Sequence, residues 1–176
     1  MTRPAQSLAS LLLGDADVRL PRDDAGSVDH LDVHEAALLE PDAPAELARL
    51  RTRGFVAGVV RSWVGGDASV VQITLHRFGT AAAARHSVDD LHSALLAAAA
   101  TVHRVGDVPV LRVSSVDGGT EPDVAHVALS SAGDVVAMVV TTSGGSVAGD
   151  PDGRRCAAIA GRQRARLSGG LAGTQT

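Results

Sequence analysis

The apolar positions of this chain change period several times, and the changes mark its elements. Across residues 55–64 and 69–78 the positions are β-branched and aliphatic, and in the second run Val71, Ile73 and Leu75 alternate with Gln72, Thr74 and His76. A period of two puts one set in a core and the other on a wetter face, which predicts two strands. Gly65-Gly66-Asp67 between them offers the positive-φ positions of a hairpin turn. After Gly79 the period lengthens: Ala84, Val88, Leu91, Leu95 and Ala98 recur at helical spacing behind Thr80, a natural N-cap. Three further strands are expected at 109–116, 124–130 and 135–142, with Ala132-Gly133-Asp134 turning the last pair. The run VVAMVVTT is apolar on both faces, the mark of a strand in the middle of a sheet.

Two more helices complete the order. Residues 44–53 begin at Pro44 behind a possible Asp42 cap and stop at Gly54, and residues 152–167 follow a glycine-rich loop. The sequence α-ββ-α-βββ-α, with hairpins and no regular βαβ alternation, predicts an α+β fold. Its antiparallel sheet would have about five strands and carry its helices mainly on one face. Residues 1–41 read as an irregular, acidic lead-in packed on the body, 42–167 as a single domain and 168–176 as a flexible tail.

Composition narrows the chemistry. Phe55, Trp63 and Phe78 are the only aromatic residues, so the core is aliphatic and offers few rings for stacking bases or sugars. All sixteen basic residues are arginine, and Schiff-base and P-loop chemistry need the lysine that is missing. A formal charge of −4 argues against a nucleic-acid partner, whose phosphates call for clustered positive charge. The arginines at 154, 155, 162, 164 and 166 read as a solvated helix face. No run approaches the ~18 apolar residues of a membrane-spanning helix. The single cysteine, Cys156, lies among small apolar residues and is expected in the core.

No catalytic set assembles from motifs: Gly-x-Ser-x-Gly and HExxH are both absent, and no cofactor is implied. In DHLDVHE, His30 and His34 are the candidates for a metal, against the expectation of a solvated acidic loop. His76 and His126, with Arg112, Gln72 and Thr74, are expected to project from the wetter face of the sheet, where a cleft would bind an anion. Arg61 and Trp63 are two apart on a strand and share a face with Phe55, Ala57 and Val59. The structural expectation is that Trp63 caps the core edge under the stem of Arg61, and the functional one makes the pair the rim of an apolar pocket. The candidate ligand-binding set is therefore Arg61, Trp63, His76, Arg112 and His126.

Several packing motifs together resemble a group of secreted actinobacterial lipoproteins and sensor-type domains. They are LLLGDAD, Gly54-Phe55, Arg61-Ser62-Trp63, His76-Arg77-Phe78, the Thr80 to Arg85 helix start and the terminal GRQRARL. The resemblance runs from about residue 11 to residue 167 and implies a PsbP-like α+β fold and an extracytoplasmic setting behind a removed targeting segment. The chain itself carries no signal peptide or lipid-acceptor cysteine, and it lacks the disulfides of similarly laid-out kinase sensor domains. A native N-terminus here would imply a cytoplasmic relative.

The expected function is a non-catalytic extracytoplasmic domain that binds an apolar or amphipathic small ligand or an envelope protein. Two alternatives stand beside it: an assembly module acting through its sheet face or edge, and a small enzyme with a histidine general base.

Overall fold

A computed structural model describes residues 7–18, 24–40, 42–65, 69–98, 100–115, 123–142 and 153–172. Its strands are β1 (Asp24–Leu31), β2 (Phe55–Val64), β3 (Val70–Phe78), β4 (Thr101–Val105), β5 (Val108–Ser115), β6 (Asp123–Ala132) and β7 (Val135–Thr142). They pair antiparallel throughout into one sheet in the order β1-β2-β3-β7-β6-β5-β4. The doubly apolar strand β7 lies at its centre, fourth of seven.

The helices are α1 (Asp15–Val18), α2 (Val33–Ala37), α3 (Ala43–Thr52), α4 (Ala81–Ala97) and α5 (Arg154–Ala172), with a 3-10 turn at Leu8–Leu11. Side chains alternate across the sheet and feed two cores. On one face Val59, Trp63, Val71, Ile73, Leu75, Ala137 and Val139 pack under α5 (Cys156, Ile159, Leu167) and the N-terminal Leu8, Leu11, Leu12 and Leu13. On the other face Phe78 and Val136 pack with Ala36 of α2, Leu50 of α3 and Ala84 of α4.

The fold is α+β with an antiparallel sheet, and it departs from the sequence expectation in four places. Among the described residues the sheet has seven strands, since β1 and β4 form its two edges. Helices cover both faces instead of mainly one, because β7 and β3 bury residues on both sides. The lead-in is not irregular throughout: residues 24–31 are a strand paired to β2, and residues 33–37 are a helix. The tail is helical as far as Ala172, with Leu171 against the β6–β7 turn, where a Cβ on Gly133 would lie 3.2 Å from its Cδ1. The expected turn at 65–67, the break at 117–119 and the glycine-rich loop before α5 fall partly or wholly outside the described residues.

Local rules account for the helix starts. Asp42 accepts from the Ala45 amide and Thr80 from the Ala83 amide, each filling a donor left open by the first turn. Asp32 accepts from the amides of His34 and Glu35 while Glu35 accepts from the Asp32 amide, a full capping box. Those two backbone bonds hold the Asp32 carboxyl below its usual range.

Candidate functional site

On the α5 face one cross-strand row runs almost the full width of the sheet. In register it reads Trp63, Val71, Thr141, His126, Arg112, Thr101, contributed in turn by β2, β3, β7, β6, β5 and β4. Directly paired residues share a face and lie side by side, so the row passes from apolar at Trp63 to polar at Arg112. Three of the five candidate residues fall on it.

The apolar end is closed. Trp63 is 0% exposed, its indole Nε1 donates to Asp15 Oδ1 at 2.9 Å, and the Arg61 guanidinium lies 5.0 Å from the Trp63 ring centroid. Arg61 Nη2 also meets Asp15 Oδ1 at 2.7 Å. One α1 carboxylate thus fastens both residues beneath the N-terminal segment, which matches the structural expectation for the pair. Phe55 does not share their face. A register shift between Phe55 and Ala57 turns it over to the other core, where its ring meets His76 and Phe78 edge-on.

The polar end is different. Thr141 is 4% exposed, and its Oγ1 is buried with no hydrogen-bond partner among the described residues. Arg112 Nε is buried in the same condition. Between them stands His126, 2% exposed. Buried polar atoms in folded proteins nearly always have partners, so two such atoms flanking one imidazole, with Arg61 Nε a further one on this face, mark a polar demand among the described residues. The first turn of α5 begins immediately above. Gly153 has φ +68°, and a Cβ there would sit 2.9 Å from Val110 Cγ1 and 3.0 Å from His126 Cδ2, so a glycine is required at this approach. Cys156 Sγ donates to the carbonyls of His126 and Val139 at 3.4 and 3.5 Å; with no exposed surface it is a core residue, as its surroundings suggested. Arg155 Nη1 reaches Ser69 Oγ at 3.4 Å. Beside the row, an open depression of about 360 Å³ is lined by His103, Arg104, Val105, Gly106 and Arg154.

His76 lies on the opposite face, contrary to the expectation that it joins His126. The register pairs Leu75 with Ala137 and Ser130 with Ala137, so residues of odd number on β3 share a face with residues of even number on β6. His76 is 6% exposed under α3, its Nε2 has no partner among the described residues, and burial with the nearby Arg49 charge pushes its pKa down to about 4. Gln72 and Thr74 share its face and bond to each other at 3.3 Å. Nearby, Glu46 and Arg49 form an ion pair on α3, and Arg49 Nη1 donates to Ser87 Oγ of α4 at 2.6 Å. Burial, with the Glu46 charge, raises the Glu40 carboxyl.

The metal candidates separate. His30 sits exposed on β1 and His34 exposed on α2, with His34 Nε2 3.0 Å from Arg51 Nη2. Asp32 and Glu35 are committed to the capping box. Among the described residues no group of three or more histidine, cysteine, aspartate or glutamate side chains could hold a metal ion.

Sequence reasoning missed Thr141, whose signal was the pair of hydroxyls closing an otherwise apolar strand. It also missed Asp15 as the partner of Trp63, and the Glu46–Arg49–Ser87 cluster.

No family model and no curated protein matches the chain. Among solved structures, the chain is similar to the extracellular domain of PknH from Mycobacterium tuberculosis, with a TM-score of 0.63 and 16% identity over 94% of this chain and 100% of that one. At that identity the likeness is one of fold, shared across the whole domain. It is consistent, at the level of fold, with a resemblance to actinobacterial extracellular domains, while a PsbP-like fold is not what it shows. No described helix is long and apolar enough to cross a membrane.

Proposed function

We propose that this chain is a non-catalytic binding domain that works outside the cytoplasm, recognising a small polar ligand at the α5 face of its sheet. The observation that carries the binding site is the row Thr141–His126–Arg112, in which the buried Thr141 Oγ1 and Arg112 Nε have no hydrogen-bond partner among the described residues. The extracytoplasmic setting is supported by the full-length fold likeness to an extracellular domain. An apolar ligand lodged at Trp63 is the poorer reading, since Trp63 has no exposed surface and its indole N–H already has a partner in Asp15. The remaining unmet demand is polar.

Protease treatment of intact actinobacterial cells expressing the full-length gene product tests the setting. Digestion without lysis is expected, and protection that ends only on lysis would contradict it. A second reading, assembly through a sheet edge, draws on β4: residues 101–104 are exposed and Val102 is 46% exposed. An edge strand with open backbone groups can pair with another chain. A concentration-dependent dimer lost on substituting proline at Val102 would favour that reading.

A further inference from the structure

The polar end of the row has a direction as well as a demand. The Nε edge of an arginine is one side of the planar fork that grips carboxylate and phosphate through two parallel N–H bonds. At Arg112 that Nε is buried and unengaged among the described residues, while the residue as a whole keeps partial exposure. Thr141, two strands away in the same row, supplies a hydroxyl that is also unengaged, and the His126 ring lies between them. Next to the row, on the side of strand β4, the depression is lined by His103, Arg104 and Arg154. His103 pairs in register with Val110, the residue against which Gly153 seats the start of α5. The wall of the depression and the row are therefore joined by one strand pair and one helix start.

Charge sharpens the contrast. The chain carries a formal charge of −4, yet the lining of the depression includes two arginines and a histidine beside Val105 and Gly106. The acidic residue on this hairpin among those described is Asp107, at its turn. An acidic protein that gathers cations around a depression, one strand pair away from two buried and unengaged donors, has an arrangement suited to an oxyanion.

We propose that this site binds a small oxyanion, either a phosphate or a carboxylate headgroup. Arg112 is its principal donor, the Thr141 hydroxyl completes the inner contacts, and His103, Arg104 and Arg154 line the approach. The proposal deepens the binding-domain reading and rests on it.

The test is isothermal titration of the full chain at low ionic strength with inorganic phosphate in one arm and citrate in the other, repeated on variants. Saturable binding of at least one probe is expected. Arg112→Gln should weaken it about tenfold or more, the loss of a charged hydrogen bond, and Thr141→Val by a few-fold. Arg104→Gln, at an exposed position where folding is not at stake, should weaken it by a smaller factor and steepen its loss with salt less. The stronger arm identifies the headgroup. Two results would overturn the proposal: no saturable heat with either probe, or binding unchanged in both Arg112→Gln and Thr141→Val. If both probes fail while another molecule co-purifies with the protein, the oxyanion site is wrong and the binding-domain reading survives. If nothing co-purifies and neither probe binds, both fall.

Discussion

Replacing His76 by leucine should flatten the acid limb of the stability curve. The ring is 6% exposed, sits edge-on to Phe55 with centroids 5.2 Å apart, and lies so close to β2 that a Cβ on Gly58 would come within 3.1 Å of its Cδ2. Burial, reinforced by the positive Arg49, lowers its pKa from 6.5 to about 4. In the unfolded chain the ring takes up a proton near its ordinary pKa, while in the folded protein it stays neutral. The contribution to stability is therefore complete above pH 6.5 and is lost as pH falls toward 4. A shift of that size corresponds to about 3 kcal/mol in full, of which about 2 kcal/mol disappears between pH 7.5 and pH 5. Urea unfolding of the wild type and of His76→Leu across that range measures it directly. The wild type should lose about 2 kcal/mol more than the variant. Equal losses in the two proteins, or a His76 imidazole resonance, assigned by its absence from the variant, that titrates near pH 6.5 in the folded state, would refute the claim that this ring is sealed in its neutral form.

Three further perturbations separate the parts of the account. Asp15→Ala removes the shared partner of Arg61 and Trp63 and should cost about 1 kcal/mol, with a red shift in the fluorescence of the single tryptophan as the N-terminal cover loosens. Gly153→Ala places a side chain at φ +68° and against Val110 and His126, and should lower stability by about 2 kcal/mol in thermal or urea unfolding. Ser87→Ala deprives the half-buried Arg49 of an acceptor from α4 and should cost about 1–2 kcal/mol, with no change in oxyanion binding on the opposite face.

The hairpin β2–β3 and the central strand β7 were legible because their neighbours on both sides force clean apolar patterns. The edges were not. DAGSVDHL has Val28 and Leu31 as its only larger apolar residues, and TVHRV is exposed at four of its five positions, so neither edge strand carries the period that burial writes into a sequence. Their pairing is imposed by the open backbone of β2 and β5. Two helix layers were likewise invisible, because a period-two strand states that it has two faces without naming what covers them.

The site was half legible for the same reason. Arg112 and His126 stood out as polar residues within strands, but their adjacency depends on a register fixed across three strands, and that same register sends His76 to the far side. Thr141 reads in sequence as an ordinary strand residue. Only the structure reveals that its hydroxyl is buried beside His126 with no hydrogen-bond partner among the described residues. The fastening of Trp63 by Asp15 joins residues 48 positions apart, a contact that no local pattern encodes.

The most direct test of the binding-domain account is native mass spectrometry of the wild type and the Arg112→Gln variant purified from an actinobacterial host. The account predicts a reproducible small bound mass on the wild type that is lost on denaturation and is absent or strongly reduced in the variant. A wild type that flies only as the bare chain, or a bound mass carried equally by both proteins, would contradict it.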